Sequence, residues 1–217
     1  MSTEKNEMSV TELGNPAKPH GKAGEEMLRR MGESHSGVTE WALNTLELNG
    51  SERVLDIGCG GGDALKKMSA RISSGRLTGV DYSEVSVELS RQRNIQDVNT
   101  GKMNIIKASA EALPFPDNSF DVIYTVESFY FWGRNADTLR EVRRVLAENG
   151  VFIIVADIHG DAELSDDAIN NIRKYDLFNP APSELRALLM EAGFADTEIL
   201  LKNGTSWICA KAYKSVE

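Results

Sequence analysis

The segment VLDIGCGGGD, residues 54–63, carries the densest chemical signal in the chain. It sets Gly58, Gly60 and Gly62 between an apolar run and a helical stretch. Glycines at such a junction let backbone approach a ligand closely, at the strand ends where open α/β sheets bind ligands. The plainer alternative is a tight strand-to-helix turn. The spacing is G-x-G-x-G. The third glycine of a dinucleotide pattern, G-x-G-x-x-G, would fall at position 63, where the chain has Asp63. Asp56 lies inside the strand, two residues before Gly58. A carboxylate there repels a pyrophosphate and favours a cationic ligand or a water-bridged ammonium. Asp81 closes the next apolar run, 19 residues after Gly62. An acid so placed accepts hydrogen bonds from both hydroxyls of a ribose; the alternative is a cap on the following helix. Together the two acids describe a nucleoside with a cationic tail.

Two further stretches hold reactive side chains. His35 sits in the break Glu33-Ser-His-Ser-Gly37 and is a candidate base; a capping or loop histidine is the alternative. Glu127-Ser-Phe-Tyr-Phe-Trp132 follows a strand directly, and four successive aromatics cannot all face one core. Some of them should face a substrate cavity, with Tyr130 as the second candidate catalytic residue beside His35. Cys59 reads as a small loop residue, since no basic neighbour activates its thiol. His20 and His159 are too scattered to propose a metal site, and no metal is expected. The acidic stretch from Asp157 to Asp167 reads as a solvated loop and helix start, or as a wall that attracts cationic acceptors.

These residues need a sheet to converge on. Short apolar runs at Arg53–Ile57, Leu77–Asp81, Met103–Lys107, Phe120–Val126 and Val151–Asp157 alternate with helical segments at 64–72, 84–94 and 136–146. Such alternation implies a doubly wound, mostly parallel α/β sheet. Ser183–Ala192 reads as a further helix, capped by Ser183 and stopped by Gly193. Thr197–Lys202 and Thr205–Tyr213 follow without a helix, so Asn203-Gly204 marks an antiparallel hairpin at the sheet edge. That makes seven strands. Residues 1–24 are polar and rich in Gly and Pro, and are expected to form a flexible arm. Residues 25–217 then form a single domain whose helical segment 25–48 acts as a lid.

Composition narrows the function. The 217 residues suit one domain with a real core. The net charge of −9 disfavours a nucleic-acid partner. No apolar run approaches the roughly 20 residues of a membrane span, and MSTEKNEMSVTELGNP does not read as a signal peptide. Two cysteines supply neither a disulfide framework nor a four-cysteine zinc site, so a reducing cytoplasm is the expected location.

On these residues the chain resembles the class I S-adenosylmethionine-dependent methyltransferases, in particular the ubiquinone/menaquinone methyltransferase group. VLDIGCGGG, LTGVDYS, ASAEALPFPDNSFDVIYT and LREVRRVLAENGVFIIVAD occur in that family's order and spacing, from about Val54 to Asp157. The resemblance implies a Rossmann-like fold, S-adenosyl-L-methionine as cofactor and a small-molecule acceptor. It implies that Asp56, Gly58, Cys59, Gly60 and Gly62 line the methionine side. Asp81 would take the ribose, Tyr82 would pack on adenine, and Ala110 and Glu111 would lie at the adenine edge, with Val126 also in the pocket. Ser109 departs from the family's common Asp, so it would bond adenine without a charge-assisted contact. In-line displacement at a sulfonium needs chiefly alignment and shelter from water. The aromatic run hints at an apolar or aromatic acceptor. The alternatives are a non-catalytic S-adenosylmethionine-binding protein and a nucleotide-cofactor oxidoreductase, the latter opposed by Asp56 and the missing third glycine.

Overall fold

The structure is a computed structural model that describes residues 13–215. Its centre is a seven-stranded sheet: β1 (Arg53–Ile57), β2 (Arg76–Asp81), β3 (Met103–Lys107), β4 (Phe120–Val126), β5 (Leu146–Ala156), β6 (Asp196–Leu201) and β7 (Ile208–Tyr213). The strands lie in the order β3-β2-β1-β4-β5-β7-β6. The first five run parallel, and β7 is antiparallel to both of its neighbours. The chain steps outward from β1 through β2 to β3, then returns to place β4 on the other side of β1. Neighbouring connections diverge at that reversal, which opens a crevice above the carboxyl ends of β1 and β4.

Side-chain alternation builds a core on each face. Leu55, Ile57, Ile123, Phe152 and Ile154 point to one side, where helices α6 (Ala136–Val145) and α8 (Pro182–Glu191) cover them with Leu139, Val142, Leu185 and Leu189. Val54, Val122, Tyr124, Ile153 and Val155 point to the other. There they meet Leu65 and Met68 of α3 (Asp63–Ser69), Val87 of α4 (Glu84–Arg93), and Val38, Ala42 and Leu43 of α2 (Ser36–Leu43). Strands buried on both faces read as continuous apolar runs, as VFIIVA does. Helix α1 (Gly21–Ser34) lies outside both cores and joins α4 in a small cluster of Met27, Leu28 and Leu89.

Several boundaries differ from the sequence expectation, each for a local reason. Helix α8 begins at Pro182, with Ala181 as its cap residue in place of Ser183. Proline suits a first turn whose N–H has no partner, and the Glu184 carboxylate accepts the Ala181 N–H at 3.0 Å. Strand β5 starts at Leu146, earlier than the apolar run, because a shift in its pairing with β4 carries the polar Glu148 and Asn149. Two short helices, α5 (Ile95–Asn99) and α7 (Asp166–Lys174), bury no residue and so leave no apolar stripe to read. The expected arm divides. Residues 1–12 lie outside the described residues, while Pro19 is buried, its carbonyl accepts the Ser83 hydroxyl at 2.7 Å, and α1 already begins at Gly21. Residues 16–24 therefore belong to the folded body.

Candidate functional site

The loop between β1 and α3 closes on itself. The N–H groups of Gly58 and Cys59 both donate to the Val80 carbonyl, at 2.8 and 3.0 Å, and the Gly62 N–H donates to Cys59. The Gly60 N–H donates to Asp81 Oδ2 at 3.0 Å. These four donors are committed within the protein, so the loop does not form the open N–H cradle that a phosphate requires. Its glycines do three different jobs. A Cβ on Gly58 would lie 2.0 Å from Ser128 Oγ, so Gly58 lets the loops after β1 and β4 meet. A Cβ on Gly62 would lie 2.5 Å from Ser90 Oγ and from Asn94 Nδ2, so Gly62 seats the loop on α4. Gly60, at φ +50°, is the glycine that faces open space: a Cβ there would meet only Leu28, at 3.6 Å.

That open space is a cavity of about 320 Å³, of the size that small ligands use. Asp56 and Asp81 line it from the ends of β1 and β2. Asp81 is held from below: Oδ1 accepts the Ser83 N–H at 2.9 Å and Oδ2 accepts Gly60. Each oxygen keeps a second lone pair. Asp56 is 1% exposed, and its Oδ2 has no hydrogen-bond partner. Burial lifts its pKa from 3.8 to about 8; the Tyr124 hydroxyl opposes the rise and Asp81 adds to it. Burial also raises the Asp81 carboxyl, against the pull of its backbone donors. Two buried carboxyls of this kind resist ionising together until a cation or hydroxyl donors meet them.

The two ends of the cavity differ. Tyr82, Ser109, Ala110 and Glu111 line one side, with Tyr82 43% exposed and free to pack on a planar group. At the other side stand Val126, Glu127, Ser128, Phe131 and Trp132, facing Leu28, Met31, His35 and Thr39 from α1 and α2. The latter four recur three or four residues apart across the two helices and the His35 junction between them, so this segment turns one face to the cavity. Of the aromatic run, Phe131 and Trp132 reach the cavity, whereas Phe129 and Tyr130 are buried in the core.

Glu127 organises this second end. It sits just past β4 with φ +53°, a turned backbone that residues other than glycine seldom adopt. Its Oε2 accepts the Tyr130 hydroxyl at 2.9 Å, and its Oε1 accepts the Asp157 N–H at 2.6 Å. Burial drives its carboxyl well above the ordinary range, and the nearby Asp157 charge reinforces this. His35 Nε2 lies 3.8 Å from Glu127 Oε2 and 3.8 Å from Asp157 Oδ2. Burial lowers the His35 pKa, and Asp157 works against that.

Of the candidate catalytic and cofactor-binding residues named from the sequence, all but two line this cavity. Gly62 faces α4. Tyr130 departs from the expectation that it faces the reacting space: its ring packs into the core and its hydroxyl braces Glu127. Cys59 is buried beside Asp56 and Asp81, and burial with those charges pushes its thiol far above the ordinary range, which suits an inert packing residue. The pairing of Asp157 with His35, and the bracing of Glu127 by Tyr130, are not evident from the sequence. Both acids directly follow parallel strands, and that position was the available signal.

Residues 55–154 match the family profile described as a methyltransferase domain. The chain is 31% identical over 192 residues to the O-methyltransferase rstn1 of Aspergillus nomiae, a match that spans 87% of this chain and 79% of that protein. It is 34% identical over 119 residues to the ubiquinone/menaquinone biosynthesis C-methyltransferase UbiE of Azotobacter vinelandii, which spans 53% of this chain and about half (47%) of the relative. Its fold is similar to the solved structure of Haemonchus contortus phosphoethanolamine N-methyltransferase 2 in complex with S-adenosyl-L-methionine. That likeness has a TM-score of 0.77 at 13% identity and covers 98% of this chain and 61% of that one.

Proposed function

The chain belongs to the class I S-adenosylmethionine-dependent methyltransferases, and we propose that its crevice holds the donor with the ribose at Asp81 and the methionine portion over Gly58–Gly60. The donor is S-adenosyl-L-methionine, and the reaction is methyl transfer to a small molecule. One observation carries the placement: two buried acids from adjacent strands line a single cavity, one with free lone pairs and one with an orphaned oxygen. The residues fit the donor's chemistry. Asp81 has lone pairs for a vicinal diol, and the unpartnered Asp56 oxygen suits the cationic amino-acid end. Tyr82, Ser109, Ala110 and Glu111 offer a ring face and polar edge for adenine, while Cys59 and Val126 fill the walls. A dinucleotide would instead set a pyrophosphate beside Asp56 and a loop with four N–H donors already committed within the protein.

When bound, the donor supplies a methyl group activated on a sulfonium. The protein's own part is alignment and shelter. Oriented proximity alone is worth roughly 7–11 kcal/mol in favourable cases. Phe131 and Trp132 line the far end of the cavity, and aromatic side chains there suit a developing or resident positive charge and an apolar or aromatic acceptor. His35 and Glu127 form the polar part of that end. Tyr130 is a positioning residue, because it touches Glu127 and not the cavity.

Calorimetry with S-adenosylhomocysteine tests the placement. Asp81→Ala weakens binding by about 1.5–3 kcal/mol, the worth of hydrogen bonds to a charged group. Unchanged affinity in a folded Asp81→Ala protein would remove Asp81 from the ribose.

A further inference from the structure

We propose that His35, Glu127 and Asp157 form a binding site for one divalent transition-metal ion, of the Zn²⁺ or Mn²⁺ class, at the acceptor end of the crevice. The three residues come from three places: the α1–α2 junction, the residue after β4 and the residue after β5. Their ligand atoms all lie within 4.8 Å of one another. The two distances from His35 Nε2, both 3.8 Å, are too long for hydrogen bonds. They are close to the separation of two ligands on one ion, since metal–ligand bonds of about 2.0–2.2 Å place neighbouring donors about 3–4 Å apart. One imidazole with two carboxylates is a donor set for a borderline first-row ion.

The second line of evidence is the way Glu127 is held. Its side chain is 5% exposed, yet among the described residues it has no cation beyond His35. Both of its oxygens are instead fixed from behind, by the Tyr130 hydroxyl and the Asp157 N–H. Carboxylates that ligate metals are oriented by outer hydrogen bonds in this manner. Glu127 also has a left-handed backbone, a conformation whose cost the fold must offset, and its Oε2 lies beside His35. Three protein ligands leave coordination positions free, and His35 and Glu127 both border the cavity, so an acceptor with an oxygen or nitrogen donor is the ligand class such an ion would take. The location beside the acceptor rests on the proposed donor placement; the metal site itself does not.

The probe is Zn²⁺, titrated into chelator-treated full-length protein against a chromophoric competitor. Wild type and the control His20→Ala bind one equivalent. His35→Ala and Asp157→Asn each weaken that binding by about tenfold or more. S-adenosylhomocysteine affinity in Asp157→Asn stays within about twofold of wild type, which reports an intact fold, because Asp157 does not line the cavity. Absence of saturable binding to wild type overturns the site, as does wild-type Zn²⁺ affinity in both His35→Ala and Asp157→Asn. Loss of S-adenosylhomocysteine binding at Asp81→Ala is read separately, so the donor placement and the metal site fail independently.

Discussion

Asp56 shows how a residue's environment carries a function that its type alone leaves open. Its folded pKa of about 8 lies above its ordinary 3.8, so the folded chain keeps a proton that the unfolded chain has released. The stabilising difference is complete below pH 3.8 and is lost as pH rises to about 8, by up to about 1.4 kcal/mol per pH unit inside that window. Asp56→Asn removes the titration. Ligand-free wild type therefore loses melting temperature faster than Asp56→Asn between about pH 5 and 8; parallel curves would show that Asp56 stays ionised without ligand. The acid was legible in the sequence, because a carboxylate inside an apolar strand beside a glycine loop is a conspicuous expense. The His35–Glu127–Asp157 cluster was not. It depends on a contact between residues far apart in the chain, and on a left-handed turn at Glu127 that no residue type announces.

At the scale of elements, the glycine loop is three junctions in one. Gly58 is the contact with the loop after β4, and its φ of +76° adds strain for any side chain. Gly58→Ala lowers stability by about 1–3 kcal/mol, the usual cost of overpacking, and adding Ser128→Gly recovers part of it in chemical denaturation. A Gly58→Ala protein as stable as wild type would mean that the two loops separate freely. Strand positions were readable because buried parallel strands are continuous apolar runs between turns. Their ends were less so. Pro182 displaced Ser183 as the helix start through backbone geometry, and α5 and α7 carry no buried stripe from which to read a period.

Across the whole molecule, we propose that helices α1 and α2 form a cover over the crevice at the strand ends of the sheet. The cover is anchored lightly on α4, through Met27, Leu28 and Leu89 and the buried bond from Ser83 to Pro19, and more firmly by α2 in the main core. It also supplies Leu28, Met31, His35 and Thr39 to the cavity. Elements with few buried contacts open first, and a ligand that binds the folded state holds them shut. Hydrogen exchange of residues 21–43 slows on addition of S-adenosylhomocysteine, while β4 and β5 change little; equal protection everywhere would contradict a separate cover. No helix among the described residues is long and apolar enough to cross a membrane. A crystal structure with S-adenosylhomocysteine tests how the donor is oriented in the crevice. The expected complex has the ribose hydroxyls within hydrogen-bond distance of Asp81, the amino-acid end beside Asp56, and the sulfur facing the space bounded by His35, Glu127 and Trp132. A ligand with its ribose away from Asp81, or its sulfur turned from that space, would contradict it.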